Sequence, residues 1–148
     1  MTGLYGIAYV SNETRKLLPV EIDALLMDAR NFNALLNVTG VLFYGDGRFF
    51  QLLQGSKVSV ERVMARVSNA RSHKEIKILQ EGPIFGRAFD SWHMGFVRAS
   101  TSTIQALSQA AWEDAIPHTR EDFQKSEGIG LLMFYWNKWA SDPEKSVP

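Results

Sequence analysis

Tyr9, Asn33, Gln51, Trp92 and Met94 are the residues whose types and spacing could do chemistry in this chain. A tyrosine brings an oxidisable phenol with one O–H donor, and a glutamine brings a carbonyl acceptor and amide donors on one planar group. Gln51 sits in the middle of "GRFFQLLQGS", which otherwise reads as an apolar strand. A primary amide buried there must find partners or cost a few kcal/mol. Tyr9, in "LYGIAYV", is its natural partner if the first and third strands lie side by side at the centre of one sheet. Asn33, in "ARNFNALLNVTG" at the end of the first helix, could share a third component of the pair. Such a set invites a planar polar ring between two helices. It is equally compatible with plain architecture: a buried Tyr–Gln pair, an asparagine that ends a helix in left-handed geometry, and Trp92 and Met94 as core.

The elements that must position these residues follow from periodicity. Leu4 to Val10 reads as a strand with Tyr5, Ile7 and Tyr9 on one face. Pro19 suits the first turn of a helix, Glu21 and Asp23 suit its positive end, and Ile22, Leu25, Leu26 and Ala29 carry it to about Asn31. Val38 to Tyr44 and Arg48 to Leu53 form a hairpin around Asp46-Gly47, a type I′ signal. Ser56 is a candidate cap for a second helix with Val60, Val63, Met64 and Val67 as its apolar stripe. "EIKILQEG" and "SWHMGFV" (Ser91 to Val97) complete the strands. The order βαββαββ predicts an α+β, ferredoxin-like mixed sheet with two helices on one face, since each crossover must be right-handed. Beyond Arg98 a C-terminal helical extension is expected: a helix capped by Ser102 or Thr103 and stopped by Pro117, a short one in "HTREDFQKSEG", and the apolar run "IGLLMFYWNKWA". That run either covers the sheet's open face as a strand or a short helix or forms a self-association surface.

Composition narrows the function classes. In 148 residues, 16 basic and 16 acidic side chains cancel, so no global field draws in nucleic acid or an anionic membrane. The absence of cysteine excludes disulfides, thiolate nucleophiles and Cys-zinc sites together. His73, His93 and His118 lie far apart in sequence with no neighbouring ligand at metal spacing, so no metal is expected. No dinucleotide, phosphate-loop, nucleophile-elbow or metalloprotease signature is present. The N-terminus does not read as a secretion signal and no run reaches the ~20 apolar residues of a membrane span, so a cytoplasmic location is expected.

Four stretches carry a resemblance: "IAYVS", "FNALLNVTGVLFYGDGRFFQLLQG", "RSHKEIKIL" and "FDSWHMGF". With the spacing of their tyrosine, asparagine, glutamine and tryptophan-x-methionine, the chain from Leu4 to about Val97 resembles a BLUF domain, a blue-light sensor that uses FAD. The resemblance implies a flavin-binding sensor over residues 1–98, with 99–148 as the extension that packs on the sheet or mediates output. It implies that Tyr9 donates an electron and proton to the excited flavin, and that the Gln51 amide, bridging Tyr9 to the ring, rearranges to give a small red shift. It makes Asn33 a partner of the ring edge, places Trp92 and Met94 on the strand that relays the signal, and adds His73 and Arg71 as cofactor-binding residues. FAD is the implied cofactor, with FMN or riboflavin as alternatives. The family often carries Glu where Gln54 stands and an acid where Ala70 stands, which puts phosphate or ribityl contacts in doubt.

The expected partners are therefore a flavin, an unidentified downstream protein and copies of the chain itself, with no direct nucleic-acid or membrane binding. No catalytic domain follows Val97, so photochemistry without enzymatic turnover is expected. Two rivals remain at this point: an RNA-recognition module that stacks bases on strand aromatics such as those of "RFF", and a small acyl-phosphate hydrolase built on Arg15 and Asn33.

Overall fold

Alternation along the central strands sends side chains into two separate cores, one on each face of a single sheet. The computed structural model describes residues 3–84, 86–89, 93–110, 112, 127–140 and 146–147. In chain order they form β1 (Leu4–Glu13), α1 (Pro19–Leu35), β2 (Thr39–Gly45), β3 (Arg48–Ser56), α2 (Lys57–Ser68), β4 (His73–Ile84), β5 (Gly95–Arg98), α3 (Thr101–Gln109), α4 (Glu127–Ala140) and the two-residue β6 (Ser146–Val147). The strand order is β4-β1-β3-β2-β5-β6. All neighbours are antiparallel except β2 and β5, which run parallel. This is the expected ferredoxin-like α+β sheet with a parallel strand added beside β2 and C-terminal helices.

One core lies between the sheet and the first two helices. Ile7, Tyr9, Phe49 and Leu53 meet Ile22 and Leu26 of α1 and Val60, Val63 and Met64 of α2. Pro19 opens α1, and the Glu21 carboxylate accepts from the Leu18 N–H while pairing with Arg15. The hydrogen bonds from Arg15 hold that carboxyl down at about 2. The helix runs one turn past Asn31 and ends through Asn37, which takes the left-handed conformation (φ 55°). The left-handed asparagine is thus Asn37, while Asn33 stays within the helix. In the hairpin Asp46 (φ 47°) and Gly47 (φ 78°) both have positive φ, as a type I′ turn requires. Ser56 caps α2 by accepting from the Ser59 N–H.

The second core fills the opposite face. Ala8, Val10, Val41, Phe43, Phe50, Leu52 and Val97 are covered by Ile104 and Leu107 of α3, Trp112, and Ile129 and Leu132 of α4. The run "IGLLMFYWNKWA" therefore lies on a helix that covers the sheet, as the first of its two readings holds. Ser100, rather than Ser102 or Thr103, caps α3, its hydroxyl accepting from the Thr103 N–H. The helix stops at Gln109, well short of Pro117, and Trp112 turns back: its indole N–H donates to the Leu107 carbonyl at 2.7 Å and its ring stacks on Phe50 at 5.5 Å. The second expected helix, in "HTREDFQKSEG", and Pro117 and His118 lie outside the described residues.

A close approach pins α4 to that tryptophan. A Cβ at Gly128 would lie 2.3 Å from the Trp112 ring. Trp112 is stacked on one side and hydrogen-bonded on its edge, so it has no free direction in which to yield. Gly128→Ala is expected to destabilise the fold by about 1–3 kcal/mol, the usual range for overpacking. A lowered urea midpoint at unchanged slope measures it, and an unchanged midpoint would show that the ring has room after all.

Candidate functional site

Register sets the site. Tyr9 on β1 faces Gln51 on β3 directly across the antiparallel pair, with both side chains on the α1/α2 face. The Tyr9 hydroxyl donates to Gln51 Oε1, and Gln51 Nε2 donates to the Met94 sulfur at 3.3 Å. All three side chains are buried, with 3%, 6% and 1% of their surface exposed. Burial raises the Tyr9 phenol far above its ordinary range, so it stays protonated and can only offer its hydrogen or lone pairs. The amide orientation follows from the same chain. A thioether only accepts, so the NH₂ end belongs toward Met94 and the carbonyl toward the phenol.

The pair forms the floor of a cleft between the two helices. Its walls are Leu25, Ala29, Leu42, Phe49 and Val67, and Asp28, Arg66, Ala70, Ser72 and His73 complete the lining around a volume of about 640 Å³ that is open to solvent. Arg66 of α2 pairs with Asp28 of α1 across the mouth, its guanidinium 4.4 Å above the Phe32 ring. A second depression of about 920 Å³ shares Leu25, Asp28 and Ser72 and continues past Thr14, Arg15, Leu17, Glu21, Ala24 and Arg71. The two together make a groove, mostly apolar at its inner end and lined by charged residues at its outer end.

The remaining sequence-derived candidates fall at different distances from this floor. His73 lines the inner cleft, 6.2 Å from the Tyr9 ring by centroids. Its Nε2 donates to the Val67 carbonyl at 2.8 Å and its Nδ1 bonds the Ser11 hydroxyl at 2.7 Å. Arg71 lines the outer depression, and its carbonyl accepts from the Thr14 hydroxyl. Asn33, 1% exposed, continues the Ile22–Leu25–Ala29 stripe of α1 by one turn, and its Nδ2 donates to the His93 carbonyl at 2.6 Å. Arg30 reaches the next carbonyl, that of Met94, through Nε at 2.9 Å. β5 begins at Gly95 among the described residues, and the carbonyls of His93 and Met94 just before it are held by α1 side chains; Ser91 lies outside the described residues. Trp92 lies outside the described residues.

Gln54 points to the other face of the sheet from Gln51, where its Oε1 accepts from the Ala88 N–H at 2.7 Å. Its identity therefore does not bear on the groove. Sequence reading passed over Asp28 and Arg66, although helical spacing places each next to a predicted core residue, Ala29 and Val67. It also passed over Arg87 and the role of His93, whose partners are backbone carbonyls that no sequence pattern marks.

The rival readings lose their footing in this geometry. Phe49 and Phe50 are buried, at 6% and 0% exposure, and present no stacking platform. Arg15 is tied to Glu21 before the start of α1 while Asn33 lies in its last turn, so they do not converge. The lining of the inner cleft suits a flat aromatic ring: apolar walls over a phenol–amide floor.

Fold and site together define a ferredoxin-like domain with a ligand groove between the helices on one sheet face. The family model described as "BLUF: Sensors of blue-light using FAD" matches residues 4–95, and the chain belongs to this family of flavin-binding blue-light sensors. It is 29% identical over 86 residues to photoactivated adenylate cyclase subunit beta of Euglena longa, covering 58% of this chain and 10% of that one. The chain thus spans about a tenth of the length of the curated relatives it matches. Among solved structures it superposes on "BlsA ground state" with a TM-score of 0.66 at 27% identity, over 91% of this chain and 86% of that one. The dark-state structure of BlrB, a BLUF protein, gives a TM-score of 0.65 at 26% identity, over 91% and 98%. No described helix is long and apolar enough to cross a membrane.

Proposed function

We propose that this chain senses blue light through a Tyr9–Gln51–Met94 switch at the floor of the groove, and passes the change through β5 to the C-terminal segment 99–148 and to a partner or a second copy of the chain. The observation that supports it most is the continuous hydrogen-bonded chain from the phenol through the amide to the sulfur. A bound flavin supplies the absorption of blue light and, once excited, an electron acceptor. Tyr9 supplies an oxidisable phenol whose proton sits on Oη, already aimed at Gln51. Gln51 supplies an amide whose O and N ends have nearly the same shape, so exchanging them changes the bonding pattern at little steric cost. Met94 biases the resting arrangement, because a reversed amide would set a carbonyl oxygen against a sulfur that cannot donate.

FAD is the favoured flavin. The outer depression beyond the ring site offers Thr14, Ser72 and Arg71 to a phosphate-bearing tail, with Arg15 paired to Glu21, and with Asp28 in the same lining; FMN or riboflavin would leave that end unused. Separation of the flavin released by denaturation decides among them. His73 closes the inner groove beside Tyr9, and Asn33, which is not among the lining residues, is a buried amide on the same face of α1 one turn beyond Ala29 that holds the His93 carbonyl.

Asn33→Ala is expected to lower flavin retention several-fold by removing a buried amide beside the ring site and freeing the His93 carbonyl it holds. Occupancy after exhaustive dialysis measures it, and full occupancy would remove Asn33 from the binding set. The whole reading is tested by the absorption spectrum of the purified protein in darkness and just after blue light. A flavin spectrum that shifts slightly red and relaxes in the dark is expected. A protein that stays colourless after incubation with FAD overturns the proposal.

A further inference from the structure

We propose that Arg87 is a positioning residue for the switch: it fixes the start of the connection between β4 and β5 to the turn after α1, and so keeps Met94 against Gln51. The functional part of this inference rests on the photosensor reading above.

Three consecutive residues at the exit of α1 each offer an oxygen to that connection. The Asn37 carbonyl accepts from Arg87 Nη2 at 2.9 Å, the Val38 carbonyl bonds His93 Nδ1 at 2.9 Å, and the Thr39 hydroxyl accepts from Arg87 Nη1 at 2.9 Å. Arg87 Nη1 also reaches the Gln54 carbonyl at 3.0 Å. The connection is therefore tied twice to one turn, by Arg87 before it and by His93 after it, and Met94 is the residue that follows His93.

The anchors do not move easily. Thr39 and Gln54 are 1% and 0% exposed and lie opposite each other on β2 and β3. A guanidinium is a planar fork, so oxygens from a turn and two strands fix its orientation as well as its position. Gln54 adds a neighbouring tie, its Oε1 on the Ala88 N–H, and keeps it although its own Nε2 is buried without a partner. A buried donor left unpaired in this way is unusual, and it marks residues 87 and 88 as a point where the chain is held.

The link to the switch is Met94. A reversed Gln51 amide turns its carbonyl toward the sulfur, so either Met94 yields or the amide reverts. A connection held at Arg87 resists the yielding of Met94 and favours reversion. Loosening it removes that bias, and return to the dark state slows.

The test is Arg87→Met in the flavin-loaded full chain. Flavin occupancy and the initial red shift are expected to be unchanged and the dark-recovery time to lengthen by about fivefold, the size of a typical coupling through residues off the site. Arg87→Lys, with one point charge for several oxygens, should recover only part of the original rate. In a Met94→Leu background Arg87→Met should add no further slowing, because both act through the same contact. Unchanged recovery, or fully additive slowing, refutes the assignment. Should Arg87→Met fail to fold, Thr39→Val removes one acceptor and is expected to slow recovery in the same direction by less. Amide hydrogen exchange in the dark separates the two proposals: residues 93–98 should lose protection in Arg87→Met whether or not light has any effect. A chain with no light response but reduced protection loses the photosensor reading and keeps the clamp, whereas unchanged protection refutes the clamp.

Discussion

Tyr9→Phe is expected to yield a folded protein that takes up flavin, shows an ordinary oxidised flavin spectrum and forms no lasting red-shifted state after blue light. The phenyl ring keeps its place among Ile7, Leu53 and the α1/α2 side chains, so the apolar packing of this face survives. What is lost is the O–H that donates to Gln51 Oε1. That leaves one acceptor of a buried amide unpaired, a cost of about 1–3 kcal/mol, well within the stability of an ordinary domain. The photochemical loss is far larger. A phenyl group carries no exchangeable proton and is much harder to oxidise, so neither an electron nor a proton is available beside the ring site. Spectra recorded before and during illumination decide the matter: a red-shifted state that persists in Tyr9→Phe with normal yield would remove Tyr9 from the switch. High pH is no substitute for the mutation. Burial keeps the phenol protonated well beyond the range in which an unfolded tyrosine ionises, so folding stability attached to this proton is intact below pH about 10 and declines only above it.

The facing of Tyr9 and Gln51 was legible because it depends on rules that act locally and add up. Period-two alternation fixes each side chain's face, and the order βαββαββ with right-handed crossovers puts β1 beside β3. The two residues then meet in register, with Tyr9 opposite Gln51. The ends of the helices were less legible because several residues could do the same work. Ser100, Ser102 and Thr103 are all competent caps, and only the arrival of the chain from β5 selects Ser100. The end of α3 at Gln109 is not announced locally, since nothing in "QAAWED" breaks a helix, whereas Trp112 three residues on is engaged in tertiary packing on Phe50. The run in α4 was ambiguous between strand and helix because apolar residues of both periods are present in it.

Legibility was poorest where side chains bond to backbone. Asn33, Arg30, His93 and Arg87 all donate to carbonyls of other segments, and any residue supplies a carbonyl. These four bonds nevertheless link the functional parts: α1 holds the start of β5, and the turn after α1 holds both sides of the connection that carries Met94. On the proposed function, movement at Met94 would not stay local. β5 lies parallel to β2, and Val97 of β5 packs in the second core with α3 and α4. A shift of Met94 would therefore be passed toward the C-terminal helices by one short strand whose alternate side chains, Phe96 and Val97, face the two cores.

Gln51→Leu separates the switch from the site that holds it. Leucine has nearly the volume of glutamine and suits a position whose neighbours on that face are Phe49 and Leu53, so packing is largely preserved. The substitution deletes both ends of the amide, leaving the Tyr9 hydroxyl without its acceptor and the Met94 sulfur without its donor. The orphaned phenol costs about 1–3 kcal/mol, offset in part because the buried amide and its own requirements are gone. Stability is thus expected to change little and flavin to remain bound. Light should still be absorbed, and Tyr9 remains oxidisable, so transient quenching of flavin fluorescence can persist. The lasting red shift should be abolished, because no group in the variant can exchange a donor for an acceptor beside the ring. That combination distinguishes a hydrogen-bond switch from simple electron transfer, since the phenol alone supports the latter. Gln51→Glu is the companion experiment. A carboxyl can accept from Tyr9, and when protonated it keeps a donor, so a residual shift favoured at low pH is expected, whereas leucine gives none at any pH. A full-sized, slowly decaying shift in Gln51→Leu would place the switch elsewhere in the groove and return Gln51 to an ordinary structural amide.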